Sequence, residues 1–152
     1  MKTIPILAVC IIIASSITKA GEMEQAEQRF REALINYKQN ATFRADRESI
    51  SFDLDLLRQA STAANAYDRA SQSPESCVRQ LIQPIKELEE AEYVYFQATL
   101  SRDMARGATL QPATTVKDQA AAKYQHALRT WQTAITVCPQ AVNPYLLQGG
   151  NP

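Results

Sequence analysis

Apolar residues recur every three or four positions between Val116 and Cys138, which makes this segment the clearest helix in the sequence. That spacing places them on one stripe of a helix with about 3.6 residues per turn. The stripe consists of Ala120, Tyr124, Ala127, Leu128, Trp131, Ile135 and Cys138. Thr115 and Asp118 have the spacing of a capping box at the start of the helix, and Pro139 discourages helix beyond its end. Because the stripe carries two large aromatic side chains, it requires a partner surface that buries them.

Three further segments carry apolar stripes with the same spacing. They are predicted to be helices over residues 22–39, from about 43 or 51 to 71, and 74–106. The phase of the stripe changes near Asn40-Ala41-Thr42, which is the predicted break between the first two helices, with Thr42 as a candidate N-cap. No Gly or Pro lies between Glu22 and Ser73, so one long helix with a stutter is the alternative.

Proline and glycine set the remaining predicted boundaries. Ser73 and Pro74 suit the N-cap and first residue of the third helix, and Pro84 would kink this helix or split off a short first piece. Gly107 is a candidate left-handed cap at its end, and a proline-containing loop is predicted over residues 108–114. The sequence therefore predicts an all-α fold: an antiparallel four-helix bundle of helical hairpins, with the third helix kinked or the bundle in five pieces.

Each predicted helix carries the same signature: an alanine, an aromatic residue four positions later, and an alanine three positions after that. The copies are Ala26-Phe30-Ala33, Ala63-Tyr67-Ala70, Ala91-Tyr95-Ala98 and Ala120-Tyr124-Ala127. Small residues let helices approach closely, and the aromatic residue interlocks with its neighbour. The segments AEQRFREALINY and AAAKYQHALRTW resemble the second helix of a tetratricopeptide repeat, but the period of about 34 residues and the turn residues of that family are absent. An alanine-rich bundle also yields such patterns by chance.

The first twenty residues have the order of a secretory signal peptide. Lys2 gives a positive start, residues 4–17 are almost continuously apolar, and Ala20 is a small residue suited to cleavage. The apolar run is too short to span a bilayer comfortably. Leu7-Ala8-Val9-Cys10 resembles a lipobox, but Val9 is too bulky beside a modified Cys, so lipidation is disfavoured. The predicted division is a signal peptide at 1–20, a helical domain at 21–138 and a flexible C-terminal tail at 139–152.

Charge argues against two classes of partner. Cleavage removes Lys2 and Lys19, which leaves 14 basic and 16 acidic residues. The resulting net charge of −2, with the two signs interspersed, does not indicate binding to nucleic acid or, after signal cleavage, to a membrane surface. The remaining chain is long enough to bury one hydrophobic core.

The cysteines indicate a disulfide. Cleavage also removes Cys10 and leaves Cys77 and Cys138 in a chain bound for an oxidising compartment. An even pair there favours a structural bridge over a catalytic thiol, and no CxxC motif is present. A hairpin turning at residues 107–115 would bring the two Cys together. Its arms differ by seven residues, about 10 Å of helix, which the kink at Pro84 or the loop must absorb.

Residues typical of an active site are scarce. His126 is the single His, so it cannot join a His cluster for metal, and it is interpreted as a lone surface residue. The acidic cluster is interpreted as a solvated face and consists of Glu87, Glu89, Glu90 and Glu92. The chain has four Gly, and no phosphate-binding loop is present. The sequence predicts no catalytic residue, no metal site and no cofactor.

Two surface features leave alternatives. Asn40-Ala41-Thr42 is an N-glycosylation sequon, which matters only if the source is a eukaryote. The tail has apolar residues, namely Val142, Tyr145, Leu146 and Leu147. They either fold back on the bundle, which is the favoured alternative, or dock on a partner.

These observations favour an exported, non-enzymatic helical protein, periplasmic or extracellular, that binds another protein. Inhibitors, immunity proteins, chaperones and secretion accessories include small exported bundles with one disulfide, which is an analogy of fold. The alternative is a structural or self-associating component of the cell envelope, and an enzyme is disfavoured. An apolar groove between two helices would favour a protein partner. A large self-complementary face would favour self-association, and carboxylates converging on His126 would favour catalysis.

Overall fold

The computed structural model describes residues 6–71 and 76–146, with side chains from residue 19 onward. Its α-helices are α1 (Ile6–Asn40), α2 (Arg47–Ala70), α3 (Ile82–Met104) and α4 (Leu110–Val137). Each helix packs against the next one along the chain, and the short connections make neighbours antiparallel. The described residues contain no β-strand, so the predicted all-α four-helix bundle of hairpins is confirmed. Among the same residues, no helix is long and apolar enough to cross a membrane.

The predicted break between the first two helices is present. α1 ends at Asn40, and Phe43 in the connection has a φ of 53°, a left-handed conformation that interrupts helical hydrogen bonding. Asp46 caps α2 by accepting a hydrogen bond of 2.9 Å from the backbone N–H of Ser49. Thr42 is therefore not the N-cap, and that prediction was wrong because a stronger capping residue follows four positions later.

The first helix begins far earlier than predicted. α1 starts at Ile6 and continues without a break past Ala20, where cleavage of the signal peptide is predicted. A helical backbone over residues 6–20 describes the uncleaved chain and does not bear on cleavage. Signal-peptide removal after Ala20 therefore stays a prediction.

Pro84 sets the start of α3. It lies in the first turn of that helix, where a backbone N–H has no intrahelical acceptor, so its missing N–H costs little. A short 3-10 helix, Arg79–Leu81, precedes α3, which corresponds to the predicted split rather than the predicted kink. The helix therefore begins at Ile82 and not at Pro74. The proposed cap at Ser73 and Pro74 lies outside the described residues.

The turn into the last helix is shorter than predicted. α4 begins at Leu110, so the predicted loop at 108–114 is wrong. Pro112, like Pro84, occupies a first helical turn, where its missing N–H costs little. The predicted capping box at Thr115 fails with it, since the Thr115 hydroxyl donates to the carbonyl of Gln111 one turn earlier. Gly107 has the left-handed φ of 54° expected of it, within a 3-10 helix at Gly107–Thr109.

The aromatic residues of the repeated signature pair within the two hairpins. Phe30 of α1 stacks on Tyr67 of α2 with ring centroids 5.9 Å apart, and Tyr95 of α3 stacks on Tyr124 of α4 at 5.7 Å. All four rings are buried. Offset or stacked aromatic pairs at such distances contribute about 0.5–1.5 kcal/mol beyond their burial. The signature therefore marks the contacts that close each hairpin.

The predicted disulfide is confirmed. Cys77 and Cys138 are bonded, with their Cα atoms 5.5 Å apart. The expected mismatch of the hairpin arms disappears because α3 begins later and α4 begins earlier than the sequence suggested. Beyond the bridge, Ala141 and Val142 of a 3-10 helix are buried against the bundle, so this part of the tail folds back.

The next apolar residues of the predicted tail are not buried in the bundle. Tyr145 is 83% exposed and Leu146 is also exposed, so neither belongs to the core. Leu147 and the residues after it lie outside the described part of the chain.

Candidate functional site

An apolar groove runs between α2 and α3 on the outside of the bundle. Phe52 from α2 and Phe96 and Leu100 from α3 provide its apolar surface, and Phe52 is 49% exposed. The groove has a volume of about 570 Å³. The rest of its lining is Arg47, Glu48, Ser51 and Asp55. We call this surface the α2–α3 groove.

α3 carries a second apolar stripe that extends the groove along the helix. The stripe consists of Tyr93, Phe96, Leu100 and Met104, which recur at intervals of three and four residues. Met104 is 73% exposed and Tyr93 is 45% exposed. This outer stripe was not predicted, although its spacing is as regular in the sequence as that of the inner stripe.

Charged groups rim the α2–α3 groove. The Arg58 guanidinium lies over the ring of Tyr93, 5.9 Å from its centroid, and also makes an exposed ion pair of 3.4 Å with Asp55. Exposed pairs of this kind contribute little to stability, typically below about 1 kcal/mol. The groove lining itself contains two carboxylates, Glu48 and Asp55, and one guanidinium, Arg47. With Arg58, the rim therefore carries two carboxylates and two guanidinium groups, and its charges balance.

A second feature lies inside the bundle, where each helix contributes one titratable side chain to a buried polar cluster. Its members are Tyr37 of α1, Asp53 of α2, Glu92 of α3 and Tyr124 of α4. All four are buried, with Asp53 0% and Glu92 1% exposed. Buried carboxyl groups are rare unless they are paired, so each requires an account of its partners.

Both carboxylate oxygens of Asp53 accept hydrogen bonds. Its Oδ1 accepts a bond of 2.7 Å from the backbone N–H of Thr42. Its Oδ2 accepts bonds from the Thr42 hydroxyl at 3.2 Å and from the backbone N–H of Phe43 at 2.7 Å. A carboxylate with donors on both oxygens fixes this connection to α2 and holds Phe43 in its left-handed conformation. The signal in the sequence is that Asp53 lies on the apolar stripe between Ile50 and Leu57.

Glu92 is the exception in the predicted solvated acidic face. Glu87 and Glu90 are exposed, and Glu89 is partly exposed, whereas Glu92 faces the core on the same side as Leu88. Burial, together with the nearby charge of Asp53, raises the pKa of Glu92 to about 8. Its Oε2 has no hydrogen-bond partner. At neutral pH this side chain is therefore mostly a protonated carboxylic acid.

The two tyrosines complete the cluster with hydroxyl groups. Burial raises the pKa of Tyr37 and of Tyr124, and the negative charges of Glu92 and Asp53 raise both further. Both phenols therefore keep their protons. The Tyr37 hydroxyl is buried without a hydrogen-bond partner. The cluster thus holds two unsatisfied buried oxygen atoms, one on Tyr37 and one on Glu92.

The cluster consists of two carboxyl groups and two phenols, one from each helix. In the described ranges, no three residues of the His, Cys, Asp and Glu types converge as potential metal ligands. His126 is exposed on α4, and no salt bridge within those ranges joins it to a carboxylate. Cys77 and Cys138, the sequence-predicted site residues, are joined at the end of the α3–α4 hairpin.

Comparison with known proteins adds no family assignment. The chain significantly matches no protein-family model, no curated protein and no solved structure. The functional argument therefore rests on the α2–α3 groove and the buried polar cluster alone.

Proposed function

We propose that this chain is an exported, non-enzymatic protein that binds an amphipathic helix of a partner protein in the α2–α3 groove. The observation that carries the proposal is the groove itself, in which exposed Phe52 of α2 faces Phe96 and Leu100 of α3. Two antiparallel helices with an apolar channel between them are the usual receptor for the apolar face of a third helix. A groove with apolar residues from two helices favours a protein partner over the other function classes.

The dimensions fit such a partner. The outer stripe of α3 runs from Tyr93 to Met104, about 16 Å at a rise of about 1.5 Å per residue. A partner helix of three to four turns, with apolar residues at intervals of three and four, covers this length. The charges around the groove balance, because Glu48 and Asp55 stand beside Arg47 and Arg58, so the apolar face of the partner supplies the main contact.

Export is supported by two independent features. The order of residues 1–20 is that of a signal peptide, and the Cys77–Cys138 bond is of a kind that persists in oxidising compartments. Cleavage after Ala20 removes none of the buried side chains that the structure describes, because Phe30 is the first of them along α1. Intact-mass measurement of the exported protein is expected to show a chain that begins at Gly21. A product that retains Met1 would contradict this part of the proposal.

Site-specific photo-cross-linking in the native cells tests the binding surface. A photoreactive amino acid in place of Phe52 is expected to cross-link to a partner, and the cross-linked peptide is expected to come from an amphipathic helix. The matched control is the same amino acid at Val137, an apolar residue of α4 that is 66% exposed and outside the groove. Equal cross-linking from both positions would contradict the proposal. Cross-links between two copies of this chain would support the alternative of a self-associating component.

A purified complex then allows the energy of the contact to be measured. Truncation of an aromatic residue at the centre of an interface commonly costs about 2 kcal/mol, roughly a 30-fold rise in Kd. Phe52→Ala is expected to cause a loss of this order, with little change in stability because half of the ring is already exposed. Val137→Ala is expected to leave the Kd unchanged. Equal effects of the two substitutions would show that Phe52 is outside the interface.

A further inference from the structure

The two buried carboxyl groups lie on the two helices that form the walls of the α2–α3 groove. Asp53 belongs to α2 and directly follows Phe52, whereas Glu92 belongs to α3 and lies one turn before Phe96. The groove is on the outer side of this helix pair and the carboxyl groups are on its inner side. A force between the two carboxyl groups therefore acts on the spacing of the helices that form the groove.

The two carboxyl groups differ in how well their charge is supported. Asp53 receives three hydrogen bonds from Thr42 and Phe43, so its negative charge is stabilised. Glu92 has an unpartnered Oε2, and the salt bridges of the described residues do not include it. A buried carboxylate without donors is costly, and a second negative charge nearby increases that cost. The structure therefore suits a protonated Glu92 beside an Asp53 whose two oxygens are hydrogen-bonded.

The remaining neighbours of Glu92 do not supply a positive charge. Asp53 of α2 is close enough for its charge to raise the pKa of Glu92. Tyr37 of α1 and Tyr124 of α4 are close enough for the charge of Glu92 to add to the rise in their pKa values that burial causes. On its own helix, burial raises the pKa of the Tyr95 phenol, and the charges of Asp118 on α4 and of Glu92 raise it further. The phenols supply no compensating charge, and the Tyr37 hydroxyl and the Glu92 Oε2 have no hydrogen-bond partner. Ionised Glu92 is thus better accommodated when water reaches it.

We propose that the proton on Glu92 controls an opening equilibrium between α2 and α3. With the proton bound, the helices stay closed and the α2–α3 groove keeps its shape. When the proton leaves, repulsion from Asp53 and the demand for hydration favour a state in which the two helices separate and water enters. The consequence for partner binding rests on the proposed function, whereas the opening itself does not.

The size of the effect follows from linkage between proton binding and opening. Burial and the charge of Asp53 raise the pKa of Glu92 from 4.5 to about 8 in the closed state. In the open state we take the ordinary value, because the side chain is hydrated. Between pH 6.5 and pH 9 the opening constant then rises roughly 30-fold, with the rise levelling off above the closed-state pKa.

Amide hydrogen exchange of the full chain measures this opening directly. At pH 9 relative to pH 6.5, protection factors in the facing parts of α2 and α3, corrected for intrinsic exchange, are expected to fall roughly 30-fold in the wild-type protein. Glu92→Gln has no proton to lose and is expected to show no such fall. Glu90→Gln, an exposed change on the same helix, is expected to behave as wild type.

Several outcomes would overturn the proposal. An equal fall in wild-type protein and Glu92→Gln would assign the pH effect to another group. If Glu92→Gln fails to fold, the wild-type protein still decides, because unchanged protection between the two pH values is incompatible with the proposed opening. Cross-linking at Phe52 separates the two proposals: a pH-dependent opening in a protein without any groove partner supports the proton-controlled opening and refutes only the proposed function.

Discussion

The disulfide offers the sharpest test of how the bundle is stabilised. Cys77 precedes α3 and Cys138 follows α4, so the bond closes the open end of the second hairpin across a sequence separation of 61 residues. The perturbation is the double substitution of Cys77 and Cys138 by Ala. Alanine is chosen because Cys138 is fully buried and a serine hydroxyl there would add a separate desolvation cost.

The expected loss of stability follows from the length of the closed loop. A cross-link reduces the conformational entropy of the unfolded chain, and for a loop of this length the effect is about 4 kcal/mol at 25 °C. Per-residue unfolding entropies convert this into a fall in Tm of roughly 15 °C for a domain of this size. Native domains are stabilised by only about 5–15 kcal/mol in total, so the bond accounts for a large part of the stability.

The assay is thermal and urea unfolding followed by circular dichroism. Oxidised wild-type protein, reduced wild-type protein and the double alanine variant are compared, and reductant is expected to leave the variant unaffected. Hydrogen exchange is expected to show additional local loosening at Ala141 and Val142, which pack on the bundle directly after the bridge. Equal Tm values for the oxidised and reduced protein would refute the reasoning. Two free thiols in protein handled without reductant would refute the bond itself.

Three further predictions concern the core. Folding raises the pKa of Glu92 from 4.5 to about 8, so the unfolded chain loses this proton at lower pH than the folded protein does. The free energy of unfolding is therefore expected to fall as pH rises between these two values, by at most ~1.4 kcal/mol per pH unit. Urea unfolding is expected to show a flatter pH profile for Glu92→Gln. Asp53→Asn places an amide N–H₂ group against the N–H groups of the connection, and urea unfolding is expected to show a loss of about 1–3 kcal/mol with faster exchange at residues 41–46. Trp131→Ala is expected to cost about 3–5 kcal/mol in the same assay because the ring is fully buried against Tyr37, whereas exposed Val137→Ala is expected to cost little.

The sequence was sufficient for the fold because the bundle depends on a signal that is local and repeated. Apolar stripes of period 3.6 identified all the helices, and the paired Cys identified the bond that joins two of them. The helix starts were less accurate because Pro84 and Pro112 were interpreted as sites of interruption. Each is compatible with a first helical turn, and only the packing of the surrounding residues decides between the two uses.

The candidate sites were harder to predict because both depend on how helices are placed side by side. Phe52 lies on α2 and Phe96 on α3, and nothing local in the sequence indicates that they share a groove. Glu92 was interpreted as part of a solvated acidic face, although either it or Ala91 continues the inner stripe between Leu88 and Tyr95. A carboxylate at a position of an apolar stripe is the sequence signal for a buried carboxyl group, and both Glu92 and Asp53 show it.

α3 contributes one face to the core and the opposite face to the α2–α3 groove. Its inner face packs against α2 and α4 through Leu88, Glu92 and Tyr95, and its outer face presents Phe96 and Leu100 to the groove. A rigid helix transmits a displacement of one face to the other, because its backbone hydrogen bonds resist local distortion. An apolar residue in place of Glu92 would pack without any dependence on pH. A buried carboxyl group at this position instead makes the spacing of α2 and α3 respond to a proton, at some cost in stability, and the groove lies directly across the same two helices.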